Sequence, residues 1–377
     1  MRILLVNRFY GGAHVPTGRM LHDVARQLEA MGHEVTVLTS SGHYDGTATS
    51  AEAAAGKTGS GVRIIRLAVP GWVPRAGAWV WFTWRVRRLV PGLEWDACVL
   101  LTDPPLLPWL VGRIKRLCPD RKLAAWLMDL YPEALAAAGR LNPAGLLYRC
   151  LHQWRQNSLR QADLLICLGG AQRERLGAEL VRDVRTQIVP PWDARQELLR
   201  SKDADLRDIA LYAGNLGEAH CFEPILAAAQ HLPSSWTLRF AVRGAKTGAL
   251  RRAVSTGGRC GARVEVTGYV GEAETSRLLS SARVHLITMS EGWDGIVVPS
   301  KLYGCVRTGR PVLFLGPEAS DTAREIVRHG WGSCLPAAAD GSAVAEAVLQ
   351  LAAWPTANHT LPDGGKDVAT LIAGMAS

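Results

Sequence analysis

The chain has 377 residues, 48% of them hydrophobic and 20% charged, which excludes a disordered polymer and favours two domains over one core. Its net charge is +9, and the whole excess lies in residues 1–190, where 24 Lys and Arg face 15 Asp and Glu beside eight of the thirteen tryptophans. No apolar stretch reaches the roughly 20 residues that span a bilayer, and eight cysteines without CxxC or Cys/His spacing read as reduced cytoplasmic thiols rather than a zinc site.

The apolar start of the chain ends at Asn7 and Arg8, too soon for a signal peptide, and reads as a buried strand over residues 3–6. Met20, Leu21, Val24, Leu28 and Met31 then recur at helical spacing over 18–31, and Gly32 stops that helix. A strand is expected at 34–38, a loop rich in Gly, Ala, Ser and Thr at 45–61, and further strands at 63–67, 97–101, 123–128 and 164–168. Helical patterns near 79–90, 105–117 and 144–161 separate the later strands, and such alternation predicts a parallel sheet with helices on both faces. Ile188-Val-Pro-Pro-Trp-Asp193 is a stiff connection, because consecutive prolines exclude helix and sheet interior alike. Beyond it the pattern restarts, with strands at 209–213, 237–242, 264–267, 284–287 and 311–315.

The expected fold is therefore α/β, with two doubly wound, Rossmann-like domains at 1–188 and 194–360 facing a cleft. Residues 361–377 form a tail whose possible helix, over 367–375, crosses back to the first domain. In such sheets ligands bind beyond the carboxyl ends of the strands.

Several motifs fall at those ends. Glu291-Gly-Trp-Asp-Gly-Ile-Val-Val-Pro-Ser-Lys-Leu-Tyr303 runs from a strand through a Gly-containing loop into a helix that Gly309 ends. Ser300 is expected as its N-cap and Lys301 in its first turn, an anion site suited to a diphosphate, although an ordinary capped helix has the same spacing. Leu211-Tyr-Ala-Gly-Asn-Leu-Gly-Glu-Ala-His220 ends another strand, with Gly214 and Gly217 allowing close approach of a ligand. There Asn215 and His220 are candidates, the imidazole expected to be charged opposite a diphosphate or else merely structural. Arg243, in Phe240-Ala-Val-Arg-Gly244, is placed to clamp phosphate or to lie on the surface.

In the first half, Trp126-Leu-Met-Asp-Leu-Tyr-Pro-Glu133 is read as a strand ending at Asp129, with Glu133 just beyond. Carboxylates there can position or deprotonate an acceptor hydroxyl, and an Asp capping the next helix is the alternative. Tyr10-Gly-Gly-Ala-His14 lacks the GxGxxG spacing of a dinucleotide site. A helix over 78–90 puts Trp81, Trp84, Arg85 and Arg88 on one face and Phe82, Val86 and Leu89 on another. Tryptophan beside arginine suits the headgroup layer of an anionic membrane, and a helix burying both faces is the alternative.

The segment 291–303 resembles glycosyltransferase family 4, in the exopolysaccharide and O-antigen branch that carries Pro-Ser-Lys before the helix. The Asp129-Leu-Tyr-Pro-Glu133 run is similar to the D-L-W-P-E segment of that branch, and Thr102-Asp-Pro-Pro-Leu-Leu to its S-P-P-L-L, so the likeness runs over about residues 1 to 330. The resemblance implies the GT-B fold, retention of anomeric configuration without a covalent intermediate, and no metal or other cofactor. It also implies roles. Glu291 touches the donor sugar beside Asp294 and Gly295. The second Glu of the family's Glu-x7-Glu falls at Gly304, where this chain departs from it. Asn215 and His220 replace the Arg and Lys that neutralise the leaving phosphates. Gly11 and Gly12 approach the donor diphosphate, and Tyr269 flanks the base. The implied partners are a nucleotide-sugar donor, most simply a UDP-hexose, and a lipid-linked saccharide acceptor. The enzyme would be cytoplasmic and peripheral at the inner face of the membrane, with no nucleic acid. A nucleotide-sugar epimerase, a transferase using a small soluble acceptor, a nicotinamide enzyme and a nucleic-acid module are the rivals.

Overall fold

The computed structural model describes residues 1–11, 15–41, 61–71, 73–74, 77–194, 207–256, 262–268 and 272–375. Gly12, Tyr269 and all of the loop expected at 45–61 except Gly61 lie outside them. The chain divides into two compact units, Met1–Pro190 with Asp363–Ser377, and Pro191–Pro362.

The first unit runs β1 (Arg2–Val6), α1 (Pro16–Ala30), β2 (Glu34–Ser40), β3 (Arg63–Leu67), α2 (Ala78–Leu89), β4 (Ala97–Leu100) and α3 (Val111–Leu117). It continues through β5 (Lys122–Trp126), α4 (Glu133–Ala137), α5 (Leu146–Leu159), β6 (Leu164–Cys167), α6 (Gly170–Arg175), α7 (Ala178–Asp183) and β7 (Thr186–Ile188). Its seven strands are all parallel, in the order β3-β2-β1-β4-β5-β6-β7. Helices cover both faces of such a sheet, so its strands are unbroken apolar runs: Ile3, Leu4, Leu5 and Val6 are all buried. Helix α1 forms because Met20, Leu21, Val24, Ala25 and Leu28 recur on one buried face, and Pro16 begins it where no helical N–H is lost. Leu21→Ala there costs about 2–5 kcal/mol.

The second unit repeats the plan with β8 (Ile209–Asn215), α8 (Glu223–Ala228), β9 (Thr237–Arg243), α9 (Thr247–Thr256), β10 (Arg263–Thr267) and α10 (Glu272–Ser281). Then come β11 (Val284–Thr288), α11 (Lys301–Val306), β12 (Val312–Leu315), α12 (Asp321–His329), β13 (Gly332–Leu335) and α13 (Gly341–Ala352). Six parallel strands lie in the order β10-β9-β8-β11-β12-β13 around a core that includes Tyr212, Trp236, Phe240 and Leu313. The last helix, α14 (Gly364–Ala373), belongs to the first unit and packs on α1. Asp363 caps it by accepting the Lys366 N–H at 3.2 Å, and Val368, Ala369 and Ile372 are its buried face.

Both sheets are the parallel, doubly wound sheets expected, with two strands added that the pattern did not reveal. Strand β7 is a three-residue edge, Thr-Gln-Ile, with no apolar run, and it takes Ile188 out of the expected connection. Strand β13 opens on Gly332, whose missing side chain lets it lie flat on Val312, where a Cβ would come within 2.7 Å of the backbone. Strand β5 stops at Trp126, so Asp129 stands in the following turn and does not end the strand as expected. The helical pattern over 105–117 becomes a 3-10 turn, Leu107–Leu110, before α3.

Candidate active site

An open parallel sheet gathers its polar strand ends where the strand order reverses. In the second unit that place is between β8 and β11, which pair directly. Three side chains meet there. The Lys301 ammonium donates to the Tyr212 hydroxyl at 2.6 Å, lies 4.1 Å from the centre of that ring and stands 3.5 Å from the Asn215 carbonyl. Tyr212 is fully buried, so it cannot yield, and its hydroxyl donates onward to the Asn215 carbonyl at 3.2 Å. The tip of Lys301 is thereby fixed. Burial pushes its pKa down to about 7, leaving a cation half-formed at neutral pH and ready to be completed by an anion.

His220 bridges the two strands. Its Nδ1 lies 2.5 Å from the Thr288 carbonyl, which only accepts, so Nδ1 carries the proton and Nε2 keeps its lone pair. Burial first, then Lys301, hold its pKa well below the ordinary value. The expected imidazolium is therefore corrected to a neutral ring, because a buried histidine beside one ammonium gains nothing from a second positive charge. Lys246, which the motifs did not flag, donates to the carbonyls of His220 at 2.5 Å and Glu218 at 3.1 Å and so ties down the turn. Asn215 is exposed and Arg243 half-buried at the ends of β8 and β9, with the Leu216 N–H donating to the Arg243 carbonyl at 2.6 Å. Gly244 has φ +119, and a Cβ there would stand 2.7 Å from the Leu216 carbonyl, so the two turns touch backbone to backbone. Gly217 lies between them, where a Cβ would come within 3.1 Å of the Asn215 amide nitrogen.

After β11, Glu291 is exposed, Asp294 half-buried and Gly295 buried at φ +66. The expectation for Ser300 is corrected. It already has helical angles, φ −62 and ψ −18, and its side chain caps nothing. Helix α11 is only six residues long and ends at Val306, not near 308. What the segment supplies is the lysine, not a capped helix end.

In the first unit the order reverses between β1 and β4, and charged residues follow both strands. Arg8 Nε lies 2.9 Å from Asp103 Oδ1, and the Arg8 N–H donates to the Asp103 carbonyl at 2.7 Å. Neither residue stood among the sequence candidates. A charged pair directly after two apolar strands was the signal available. The Thr102 hydroxyl, next in chain, accepts from the N–H groups of Met128 and Asp129 at 3.2 and 3.3 Å. Gln172 donates to the Met128 carbonyl at 2.9 Å, so the Asp129 backbone is held from both sides. Asp129 is exposed, although protein atoms crowd one side of its carboxyl. That crowding, and then Asp103, push its pKa up to about 6.

Glu133 is not at this site. It is buried at the start of α4 in a two-pronged pair with Arg155, at 2.5 and 2.7 Å, and the same guanidinium donates to the Tyr131 carbonyl at 2.8 Å. With both oxygens occupied it cannot take an acceptor proton, so the catalytic role expected for it is corrected to a structural one. Gly11 has φ +64 and donates its N–H to the Gly18 carbonyl at 2.9 Å, anchoring the loop that leaves β1.

Helix α2 buries Phe82, Thr83 and Val86 and leaves Trp84, Arg87 and Arg88 exposed, with Trp81 and Arg85 half-buried. Arg88 lies over Trp84 and Arg85 over Trp81, at 4.3 and 5.8 Å from the ring centres. The first turn reaches the strand ends, for Arg8 also lies 5.3 Å from the Trp79 ring centre. Among the described residues, no three His, Cys, Asp or Glu side chains converge as a metal site, and no helix is long and apolar enough to cross a membrane. Seven described cysteines are free thiols.

Residues 17–192 match a family profile described as a glycosyl transferase 4-like domain. The chain is similar to the probable glycosyltransferase WbjE of Pseudomonas aeruginosa, 29% identical over 256 residues, 64% of this chain. That similarity spans only 61% of the relative's own length. Among solved structures, it is similar to WaaG, a glycosyltransferase involved in lipopolysaccharide biosynthesis, at a TM-score of 0.63 and 16% identity over 99% of this chain and 95% of that one. HepE of Anabaena, solved with UDP-glucose, aligns at 0.61 and 11% over 100% and 97%. The two parallel-sheet units thus have the GT-B fold, and the match to a glycosyl transferase 4-like domain lies over most of the first.

Proposed function

We propose that the chain is a retaining glycosyltransferase that moves a hexose-type sugar from a UDP-linked donor to a lipid-linked saccharide in cell-surface polysaccharide assembly. The observation that carries this reading is the Lys301–Tyr212–His220 cluster at the strand reversal of the second unit. An ammonium with a pKa near 7 completes its charge as a diphosphate departs, which is stabilisation aimed at the charge that develops in the transition state. Arg243 and the exposed Asn215 at the end of β8 assist it. Neutral His220 contributes differently, its Nε2 accepting a hydrogen bond from a sugar hydroxyl. With these cations in place the reaction needs no divalent ion.

The acceptor is assigned to the first unit, where Asp129 receives and orients its hydroxyl and the Arg8–Asp103 pair fixes Asp129's surroundings. The basic, tryptophan-bearing face of α2 supports docking at an anionic membrane and hence a lipid-linked acceptor. UDP-glucose in HepE and lipopolysaccharide biosynthesis for WaaG favour the same donor and acceptor classes.

The test is incubation with UDP-, GDP- and dTDP-sugars, with and without polyprenyl-diphosphate saccharide, in the presence and absence of EDTA. Transfer from a UDP-sugar that survives EDTA is expected, with Lys301→Ala slowed roughly a hundredfold or more, about 2.7–4 kcal/mol. Isomerised nucleotide sugar without acceptor, or wild-type rates in Lys301→Ala, would refute the assignment.

A further inference from the structure

Between α2 and α3 the first unit opens a recess of about 350 Å3, lined by Trp84, Arg87, Arg88, Pro91, Arg113 and Leu117. Neither helix contains an Asp or a Glu. Among the described residues the Arg87 and Arg113 guanidinium groups make no hydrogen bond or ion pair, and Arg88 meets only the face of Trp84. The positions are imposed from below, by Phe82 and Val86 under α2 and by Val111 and Ile114 under α3, all fully buried. Three guanidinium groups held around one recess repel each other, and an anion between them removes that repulsion.

The walls define which anion. Trp84 is 41% and Leu117 53% exposed, an apolar margin beside the cations. A second exposed apolar group lies on α5, another helix without an acidic residue, whose Trp154 packs 6.3 Å from the buried Trp109, one turn before Arg113. Trp154 and Leu147 of α5 are 59% and 61% exposed. A soluble phosphate uses the guanidinium groups alone. An ion carried at an apolar surface uses both. We propose that this recess binds the phosphate headgroup of an anionic phospholipid, Arg87, Arg88 and Arg113 taking the phosphate oxygens while Trp84 and Leu117 meet the glycerol and the first acyl carbons. This deepens the membrane-docked reading given above and rests on it. It turns a diffuse basic surface into a site with a defined ligand.

The test is co-sedimentation with phosphatidylcholine vesicles, with and without phosphatidylglycerol, without nucleotide sugar or acceptor, so that it is independent of transferase activity. The wild type is expected to prefer the phosphatidylglycerol vesicles, and Arg113→Ala to lower that partitioning about fivefold. Arg182→Ala, on α7, loses the same charge elsewhere and is expected to change nothing. Arg113→Lys keeps the charge without the planar fork and is expected to recover only a small part of the loss. Thermal melting of each variant separates binding from folding. If Arg113→Lys binds like wild type, or Arg182→Ala loses as much as Arg113→Ala, the headgroup site is refuted. Equal binding to both vesicle types removes the site and leaves the membrane reading; binding to neither removes both.

Discussion

Arg8 Nε lies 2.9 Å from Asp103 Oδ1, joining the residues that follow β1 and β4 where the order of the first sheet reverses. Asp103 is also the second cause of the raised pKa of Asp129, after the crowding of the Asp129 carboxyl by protein. Asp103→Asn removes that cause, so Asp129 should ionise at lower pH. A pH–rate profile of transfer at saturating donor is expected to show its acid limb displaced downwards in the variant. An acid limb left in place would mean that Asp129 does not govern it.

The raised pKa also has a consequence for folding. Folded Asp129 holds its proton up to about pH 6, whereas an unfolded Asp releases it near 3.9, so the native state binds more protons between those values. Stability therefore declines as pH rises through that window. Asp129→Asn should melt higher than wild type at pH 7, and the difference should vanish below about pH 4. The same variant is expected to lose acceptor-dependent transfer while still binding nucleotide. A lower melting temperature at pH 7 would show that the carboxylate stabilises the fold.

The sheets were legible because parallel strands buried on both faces must be apolar runs, as in Leu4–Leu5 and Leu313–Phe314. Edges β7 and β13 carry no such run and were not. Glycine-bearing turns marked the strand ends around Asn215 and His220, but charge state is set by neighbours distant in sequence. Lys301 is 81 positions from His220 and still helps to neutralise it. Glu133 misled for the same reason: its partner, Arg155, lies one helix later, and no spacing within the Asp129–Glu133 motif announces it. Arg8 and Asp103 each looked like a loop residue, and only the reversal of strand order brings them together.

Glu133 and Arg155 are both buried, so Arg155 is the charge partner of Glu133, while Arg155 itself has Glu133 and the Tyr131 carbonyl. Arg155→Ala or Glu133→Ala is expected to destabilise the first unit by about 3–5 kcal/mol. Under conditions where the protein stays folded, KM and kcat should change little. Denaturant melts paired with initial rates distinguish the two effects. A stable Glu133→Gln protein that has lost transfer would return Glu133 to the catalytic set.

Lys301 gives the sharpest test of the donor site, because its pKa of about 7 lies within the range of an ordinary binding titration. A bound diphosphate favours the ammonium, so the pKa is higher in the complex than in the free protein. Below pH 7 the lysine is charged in both states, so its own contribution to UDP affinity should be flat. Above pH 7 the free protein must take up a proton to bind, and affinity should fall by up to about tenfold per pH unit until the pKa of the complex is reached. Calorimetry in two buffers of different ionisation enthalpy should register the same proton uptake. Lys301→Ala is expected to bind weakly with no such slope, and Lys301→Arg to bind with a flat profile because its charge persists throughout. A wild-type affinity that does not change between pH 7 and 9, or a slope that survives in Lys301→Ala, would remove Lys301 from the diphosphate site and with it the central cation of the proposed mechanism.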